Sequence, residues 1–212
     1  MFSRSCLPAL PGGDLIPAFS LQRCGGIWYS KSRYREVLRV LGKLMPNEFV
    51  ESIHHIDPEE LKKRKIRGVI TDLDNTLVEW NRPDATPEVV EWFRRLRQAG
   101  IQVTVVSNNN RERVHRFCEP LEARFIWAAR KPLGQAFMRA VRDMNVPIEE
   151  TVVVGDQLFT DILGGNLLGF HTILVVPVAQ TDGILTRFNR LLERIALYWM
   201  RRKGMISWTN KS

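Results

Sequence analysis

The chain has 212 residues, of which 44% are hydrophobic and 25% charged, so it can form one globular domain with extensions. Lysine and arginine outnumber aspartate and glutamate by 31 to 23, and the formal charge of +8 favours anionic partners such as phosphate esters, nucleic acids or acidic lipids. The three cysteines form no CxxC pair, which argues against a disulfide scaffold or a zinc cage, and no apolar stretch reaches the ~20 residues of a membrane span.

The chain begins with a segment that contains a single acidic residue, Asp14, and lacks the apolar core of a secretory signal. We predict a disordered or targeting extension over residues 1–30. A cytoplasmic location is the first interpretation, and a mitochondrial or other organelle transit peptide is the alternative because such peptides are poor in acids. Residues 31–66 are predicted to form a basic amphipathic helical lead-in, with apolar residues at helical spacing from Lys31 to Met45 and a second short helix starting near Asp57.

Strand and helix patterns then alternate through residues 67–180. Short apolar runs predict five strands, at Gly68–Leu73, Gln102–Val106, Arg124–Ala128, Thr151–Val154 and His171–Val176. Helical periodicity predicts the connecting helices, at Pro87–Ala99, Arg111–Leu121, Gly134–Met144 and Phe159–Leu168. This alternation predicts an α/β fold, a doubly wound Rossmann-like parallel sheet with helices on both faces. Ligands bind such sheets beyond the carboxyl ends of the strands.

Two carboxylates one residue apart, Asp72 and Asp74, follow the first predicted strand. Strand alternation directs both to one side, and acids this close repel each other unless a cation or a shared proton intervenes. A divalent metal satisfies that requirement. A polar strand-to-turn junction with local hydrogen bonds is the alternative interpretation.

Polar residues follow the next three strands as well. Ser107 opens a run of asparagines at a helix N-terminus, where anions bind, although capping of that helix by Ser107 or Asn110 is the alternative. Lys131 follows the third strand, where an isolated lysine is usually solvated. The fourth strand ends at Asp156, a carboxylate of the kind that Mg²⁺ prefers, and Asp161 lies five residues later, where helix capping is the alternative role.

Together these residues stand in order at consecutive strand ends, and here the sequence resembles the haloacid dehalogenase superfamily. Four segments carry the resemblance to its four motifs: DLDNT at 72–76, Ser107, Lys131 and GDQLFTD at 155–161. The resemblance implies a Mg²⁺-dependent phosphatase that works through an aspartyl phosphate. In that chemistry Asp72 is the nucleophile, and Asp74 protonates the leaving oxygen and then activates water.

The resemblance also implies a role for each remaining residue. Mg²⁺ is held by the side chains of Asp72 and Asp156 and by the backbone carbonyl of Asp74, with Asp161 in support. Phosphate binding is assigned to Ser107, Asn108, Lys131 and Thr76. Thr76 also orients the acid–base loop.

The spacing of the motifs leaves no room for a cap domain. Only 32 residues separate Asp74 from Ser107, and 23 separate Ser107 from Lys131. An uncapped site suits a phosphate carried on a macromolecule or at a membrane surface. Within the capless subfamily IIIA, the segments at 44–50 and 155–166 resemble phosphatidylglycerophosphate phosphatase-like proteins, which implies dephosphorylation of phosphatidylglycerophosphate to phosphatidylglycerol.

Residues 181–212 are predicted to form a basic amphipathic helix and tail, with seven Lys or Arg against one acid from Gly183 onward. Such a helix favours peripheral binding at the inner face of an anionic membrane, and packing onto the sheet is the alternative. The predicted partner is therefore an anionic phospholipid rather than nucleic acid. A capless phosphatase acting on nucleic-acid ends, phosphoproteins or a soluble ester remains the second hypothesis, and a non-catalytic binding protein on the same fold is the third.

Overall fold

The computed structural model describes residues 21–24, 27–30 and 42–179. Its first two ranges are strands β1 (Leu21–Cys24) and β2 (Ile27–Ser30), which pair antiparallel with Leu21 opposite Ser30. The prediction of a disordered or targeting extension did not include this pair. Its sequence signal was the Gly-Gly dipeptide at 25–26, which is typical of tight hairpin turns. These strands and residues 42–179 belong to separate compact units.

Six parallel strands form the sheet of the second unit. They are β3 (Glu48–Val50), β4 (Gly68–Thr71), β5 (Gln102–Val106), β6 (Arg124–Ile126), β7 (Thr151–Gly155) and β8 (His171–Val175), in the order β3-β8-β7-β4-β5-β6. This arrangement confirms the predicted doubly wound parallel sheet. The prediction missed β3, which pairs with β8 at the edge of the sheet and is too short, at three residues, to show a periodic pattern.

Five α-helices connect the strands: α1 (Pro58–Lys63), α2 (Pro87–Gln98), α3 (Arg111–Cys118), α4 (Gln135–Met144) and α5 (Leu163–Leu168). Side chains cap the first three, since Asp57, Thr86 and Asn110 each accept a hydrogen bond from a backbone N–H in the first turn. The capping alternative for Asn110 is therefore observed. A π-helical turn, Leu158–Ile162, precedes α5 where the sequence predicted ordinary helix.

The sheet is covered on both faces because neighbouring residues of a strand point to opposite sides. Val69 packs in one apolar cluster with Trp92 of α2 and Phe117 of α3. Its neighbour Ile70 packs in another cluster with Phe137 of α4. The continuous apolar runs of the strands follow from this two-sided burial.

The strand order reverses at β4, because β5 and β6 lie on one side of it and β7 and β8 on the other. Ligands bind α/β sheets at this kind of crevice. Residues 72–86 lead from β4 to α2 and residues 107–110 lead from β5 to α3, and neither connection contains an inserted domain. Within residues 42–179 no cap domain is inserted between the strands, as predicted.

The predicted terminal amphipathic helices lie largely outside the described residues. Of the first, only residues from Gly42 onward are described, and Gly42 and Lys43 are helical. All of residues 181–212 lie outside the described range. Among the described helices, none combines the length and the hydropathy of a membrane span.

Candidate active site

Three carboxylates converge at the carboxyl edge of β4 and β7. Oxygen atoms of Asp72, Asp156 and Asp161 all lie within 4.8 Å of one another, and all three residues are buried. Strand pairing explains the approach, because the backbone N–H of Asp72 donates to the carbonyl of Val154 at 3.0 Å. Asp72 and Asp156, which are far apart in the chain, thereby share one site.

Lys131 lies inside this cluster rather than in solvent. Its ammonium Nζ is 2.6 Å from Asp72 Oδ1 and 2.7 Å from Asp161 Oδ1, and its side chain is 3% exposed. Burial alone would lower the pKa of this lysine, but Asp161 and Asp72 outweigh burial and raise it. Lys131 is therefore a charged group that faces the predicted nucleophile.

Asp161 contacts both the start of the helical segment after β7 and Lys131 of the carboxylate cluster. Its Oδ2 accepts a hydrogen bond from the backbone N–H of Gln157 at 3.2 Å, while its Oδ1 contacts Lys131. Burial raises the pKa of Asp161, and the charge of Lys131 opposes that rise. The carboxyl group lies so close to the end of β7 that a Cβ at position 155 would overlap it, so only glycine fits there.

Hydroxyl and amide groups connect the motif loops. Thr76 Oγ1 donates to Asp156 Oδ1 at 3.1 Å, and lies 3.5 Å from Asp72 Oδ2. Buried Ser107 accepts a hydrogen bond at Oγ from the N–H of Asn109, at 3.0 Å. The Asn108 side chain accepts from the backbone N–H of Lys131 at 2.7 Å, which ties the second motif loop to the third.

Asp74 lies in a clamp that sequence reasoning missed. Asn109 Nδ2 donates to its Oδ2 at 3.0 Å, and Arg113 Nε donates to its Oδ1 at 3.2 Å. Burial and the nearby charge of Asp72 raise the pKa of Asp74, against the opposing effect of the clamp. No local sequence pattern marks this contact, because Arg113 and Asp74 are 39 positions apart in the chain.

Asn75 connects the loop after β4 with the segment after β8. The Trp80 N–H donates to Asn75 Oδ1 at 3.3 Å, and Asn75 in turn accepts at its carbonyl from the N–H of Val178 at 2.8 Å. Asn75 adopts a left-handed backbone with φ of 66°, a conformation that asparagine tolerates. The Trp80 side chain is 46% exposed.

The cluster fits a hard divalent cation. Three carboxylates face a single ammonium, so negative charge is in excess, and carboxylate oxygens are ligands that Mg²⁺ prefers. The backbone carbonyl of Asp74 follows two positions after Asp72, at the same strand end. An arrangement of buried carboxylates and one lysine is suited to binding a phosphoryl group next to a metal.

Comparisons with known proteins found a matching family model and several similar proteins. A family model described as haloacid dehalogenase-like hydrolase matches residues 16–169. A Bacillus subtilis protein named Probable phosphatase YqeG is 60% identical over 164 residues, 77% of this chain and 95% of that protein. The Arabidopsis thaliana phosphatidylglycerophosphate phosphatase 1, chloroplastic/mitochondrial, is 29% identical over 173 residues, 76% of this chain and 49% of that protein. The cobalt-bound deoxy-D-mannose-octulosonate 8-phosphate phosphatase of Haemophilus influenzae superposes with a TM-score of 0.46 at 20% identity, over 54% and 70% of the two chains.

Proposed function

Because the chain belongs to the haloacid dehalogenase-like hydrolases and is a phosphatase, we propose that it cleaves phosphomonoesters through an aspartyl phosphate on Asp72. One observation carries this proposal: carboxylate oxygen atoms of Asp72, Asp156 and Asp161 lie within 4.8 Å of one another at the carboxyl edge of the sheet. Lys131, 2.6 Å from Asp72, supplies positive charge where the phosphoryl oxygens arrive.

In the first step, a carboxylate oxygen of Asp72 attacks phosphorus and the bond from phosphorus to the leaving oxygen breaks. Asp74 gives its proton to that oxygen. The raised pKa of Asp74 supports this role because a larger fraction of the carboxyl group stays protonated near neutral pH. Asn109 and Arg113 hold the carboxyl group in place.

In the second step, Asp74 removes a proton from water, and the water oxygen attacks the phosphorus of the aspartyl phosphate. The bond between phosphorus and Asp72 breaks, which releases inorganic phosphate and restores the carboxylate. Ser107 and the backbone near Asn108 bind the phosphoryl oxygens together with Lys131. Thr76 orients the loop through its hydrogen bond to Asp156.

Mg²⁺ is the proposed cofactor. The side chains of Asp72 and Asp156 and the backbone carbonyl of Asp74 would hold it, and Asp161 supports the site through Lys131. When bound, the ion neutralises charge on the phosphoryl oxygens. The excess of carboxylates over ammonium groups in the cluster supports this assignment.

The proposed substrate is phosphatidylglycerophosphate, with phosphatidylglycerol as the product. The similarity to the Arabidopsis phosphatase supports it, as do the uncapped site and the formal charge of +8. A lipid substrate places the protein at the cytoplasmic surface of an anionic membrane, to which residues 181–212 would bind through their basic side chains. An organelle location is the alternative if residues 1–30 are a transit peptide.

Phosphate release from phosphatidylglycerophosphate in Mg²⁺-containing mixed micelles tests the proposal. We expect turnover by the wild-type chain and a loss of at least ~10³-fold in kcat for Asp72→Asn, because the amide cannot form the phosphoenzyme. Asp84→Asn is the matched control, since that exposed aspartate pairs with Arg116 and should leave kcat unchanged.

The two other hypotheses make opposite predictions. Robust turnover of 3′-phosphorylated oligonucleotides, phosphopeptides or soluble esters with none of the lipid would assign the enzyme to another substrate. Failure to hydrolyse any phosphomonoester in the presence of Mg²⁺ would indicate a binding protein on this fold.

A further inference from the structure

A cavity of ≈ 500 Å³ is lined by residues on both sides of Lys131 in the chain, and no member of the carboxylate cluster lines it. The loop after β6 and the first turns of α4 form its walls. Its side chains are both cationic and apolar, and those that matter here are Trp127, Arg130, Leu133, Gln135 and Arg139.

The cavity and the reacting centre share one loop. Arg130 lines the cavity, and the next residue, Lys131, contacts Asp72 at 2.6 Å. The same loop is fastened to the second motif, because the N–H of Ala129 donates to the carbonyl of Ser107 at 3.0 Å. One short loop, residues 129–131, therefore connects the cavity lining with the reacting centre.

The charge of the cavity favours an anion. Arg130 and Arg139 are its charged side chains, and among the described residues no aspartate or glutamate lines it. Arg139 is 3.5 Å from Asp143, and both side chains are exposed, so this pair is weak. Both guanidinium groups are thus available to bind phosphate oxygens, for which their geometry is well suited.

The apolar side chains of the cavity favour an amphiphile. Trp127 is 47% exposed and Leu133 is 59% exposed, so each offers apolar surface to a bound molecule. Trp80, Val176 and Val178 are also exposed in loops that follow β4 and β8, at the same carboxyl edge of the sheet. Tryptophan and aliphatic side chains beside arginines are typical of surfaces that meet lipid headgroups.

We infer that this cavity binds the diester phosphate and glycerol backbone of an anionic phospholipid, while the terminal phosphomonoester of the same molecule lies at Asp72. Arg130 and Arg139 bind the diester oxygens, and Trp127 and Leu133 contact the apolar part. The inference rests on the proposed lipid phosphatase function. It gives a binding site to the part of the substrate that does not react.

Inhibition by a soluble short-chain lipid tests the cavity. Dihexanoyl-phosphatidylglycerol carries the diester phosphate but no monoester, so it should bind the cavity and inhibit hydrolysis of p-nitrophenyl phosphate by the full-length, Mg²⁺-loaded enzyme. Arg139→Gln should raise its inhibition constant about tenfold, because a charge-assisted hydrogen bond is lost. Trp127→Ala should raise it as well. Arg142→Gln is the matched control, since this exposed arginine lies on the same helix outside the cavity and should leave the inhibition constant unchanged.

Equal effects of Arg139→Gln and Arg142→Gln would overturn the inference, because net charge and not the cavity would then attract the lipid. A dinucleotide that inhibits as strongly as the lipid, and depends equally on Arg139, would reassign the cavity to nucleic acid. Turnover of phosphatidylglycerophosphate by the wild-type chain is measured separately. Turnover with no effect of Arg139→Gln rejects the cavity alone, whereas no turnover with Arg139-dependent inhibition rejects the proposed function and upholds lipid binding in the cavity.

Discussion

The pKa of the Asp74 carboxyl group is set by its surroundings in the fold. Burial and the charge of Asp72 raise its pKa, while Asn109 and Arg113 lower it. A general acid must be protonated, so this function is lost as the pH rises through its pKa. A raised pKa extends that function to higher pH.

Replacing Arg113 should therefore change the pH profile. In Arg113→Gln the loss of a positive charge raises the pKa of Asp74 further, so the alkaline limb of kcat/KM should move up by about one pH unit. The value near pH 7 should fall about tenfold because Asp74 loses its orientation. A phosphate ester with an alkoxide leaving group, such as glycerol 3-phosphate, is the suitable substrate, since its departure requires a proton.

Two variants serve as controls for this prediction. Arg113→Lys keeps the charge, so the alkaline limb should stay near its wild-type position while kcat/KM remains reduced. Arg116→Gln removes a charge from the same helix without contacting Asp74 and should change neither property. A reduced kcat/KM with an unmoved limb in Arg113→Gln would show that Arg113 affects only the fold.

The turn between β7 and α5 places Asp161 in the active-site cluster. The sequence predicted ordinary helix from Phe159, but the segment begins with a π-helical turn in which the N–H of Ile162 donates to the carbonyl of Gln157 at 3.3 Å. The wider turn accompanies the inward position of Asp161, which contacts both the helix start and Lys131. Such π-turns occur frequently at functional sites.

Gly155→Ala should disturb this turn. The added methyl group would overlap the carboxyl group of Asp161, which is held on its other side by Lys131. We expect a loss of about 1–3 kcal/mol in the free energy of unfolding by urea, together with reduced phosphatase activity. Gly42→Ala is the control, because nothing lies within 4 Å of the added atom. Wild-type stability and activity in Gly155→Ala would show that the turn has room to adjust.

The carboxylate cluster of the active site destabilises the folded state of the molecule. Three buried carboxylates face one ammonium group, and like charges at this distance repel each other. Sites that perform chemistry commonly destabilise the fold that holds them. A cation that binds only the folded state should relieve the repulsion.

Magnesium should therefore raise the melting temperature of the wild-type chain. At a Mg²⁺ concentration 100-fold above Kd, binding contributes about 2.7 kcal/mol, which corresponds to roughly 5–10 °C for a chain of this size. Asp156→Asn should lose this rise and, in EDTA, melt no lower than the wild type, because one repelling charge is gone while Thr76 retains an acceptor. Thermal scans with Mg²⁺ and with EDTA measure both effects. An equal rise in the wild type and in Asp156→Asn would place the ion elsewhere.

The sequence alone determined the architecture of the core and the identity of the residues at its strand ends. Apolar runs and helical periodicity are local properties, and the carboxyl ends of parallel strands necessarily share one edge of the sheet. Asp72, Ser107, Lys131 and Asp156 could therefore be expected near one another before any coordinates. Their catalytic and binding roles stay predictions that the experiments above test.

The contacts between side chains that are distant in sequence follow from the tertiary structure. The clamp joins Asp74 to Arg113 across 39 positions, and Lys131 meets Asp72 across 59, so neither contact has a local signal. Strand β3 is too short for periodicity, and it belongs to the sheet because β8 offers it an edge. The cavity beside Lys131 arises likewise from the packing of a loop against a helix. Local patterns specify elements, whereas contacts between distant residues depend on how those elements pack.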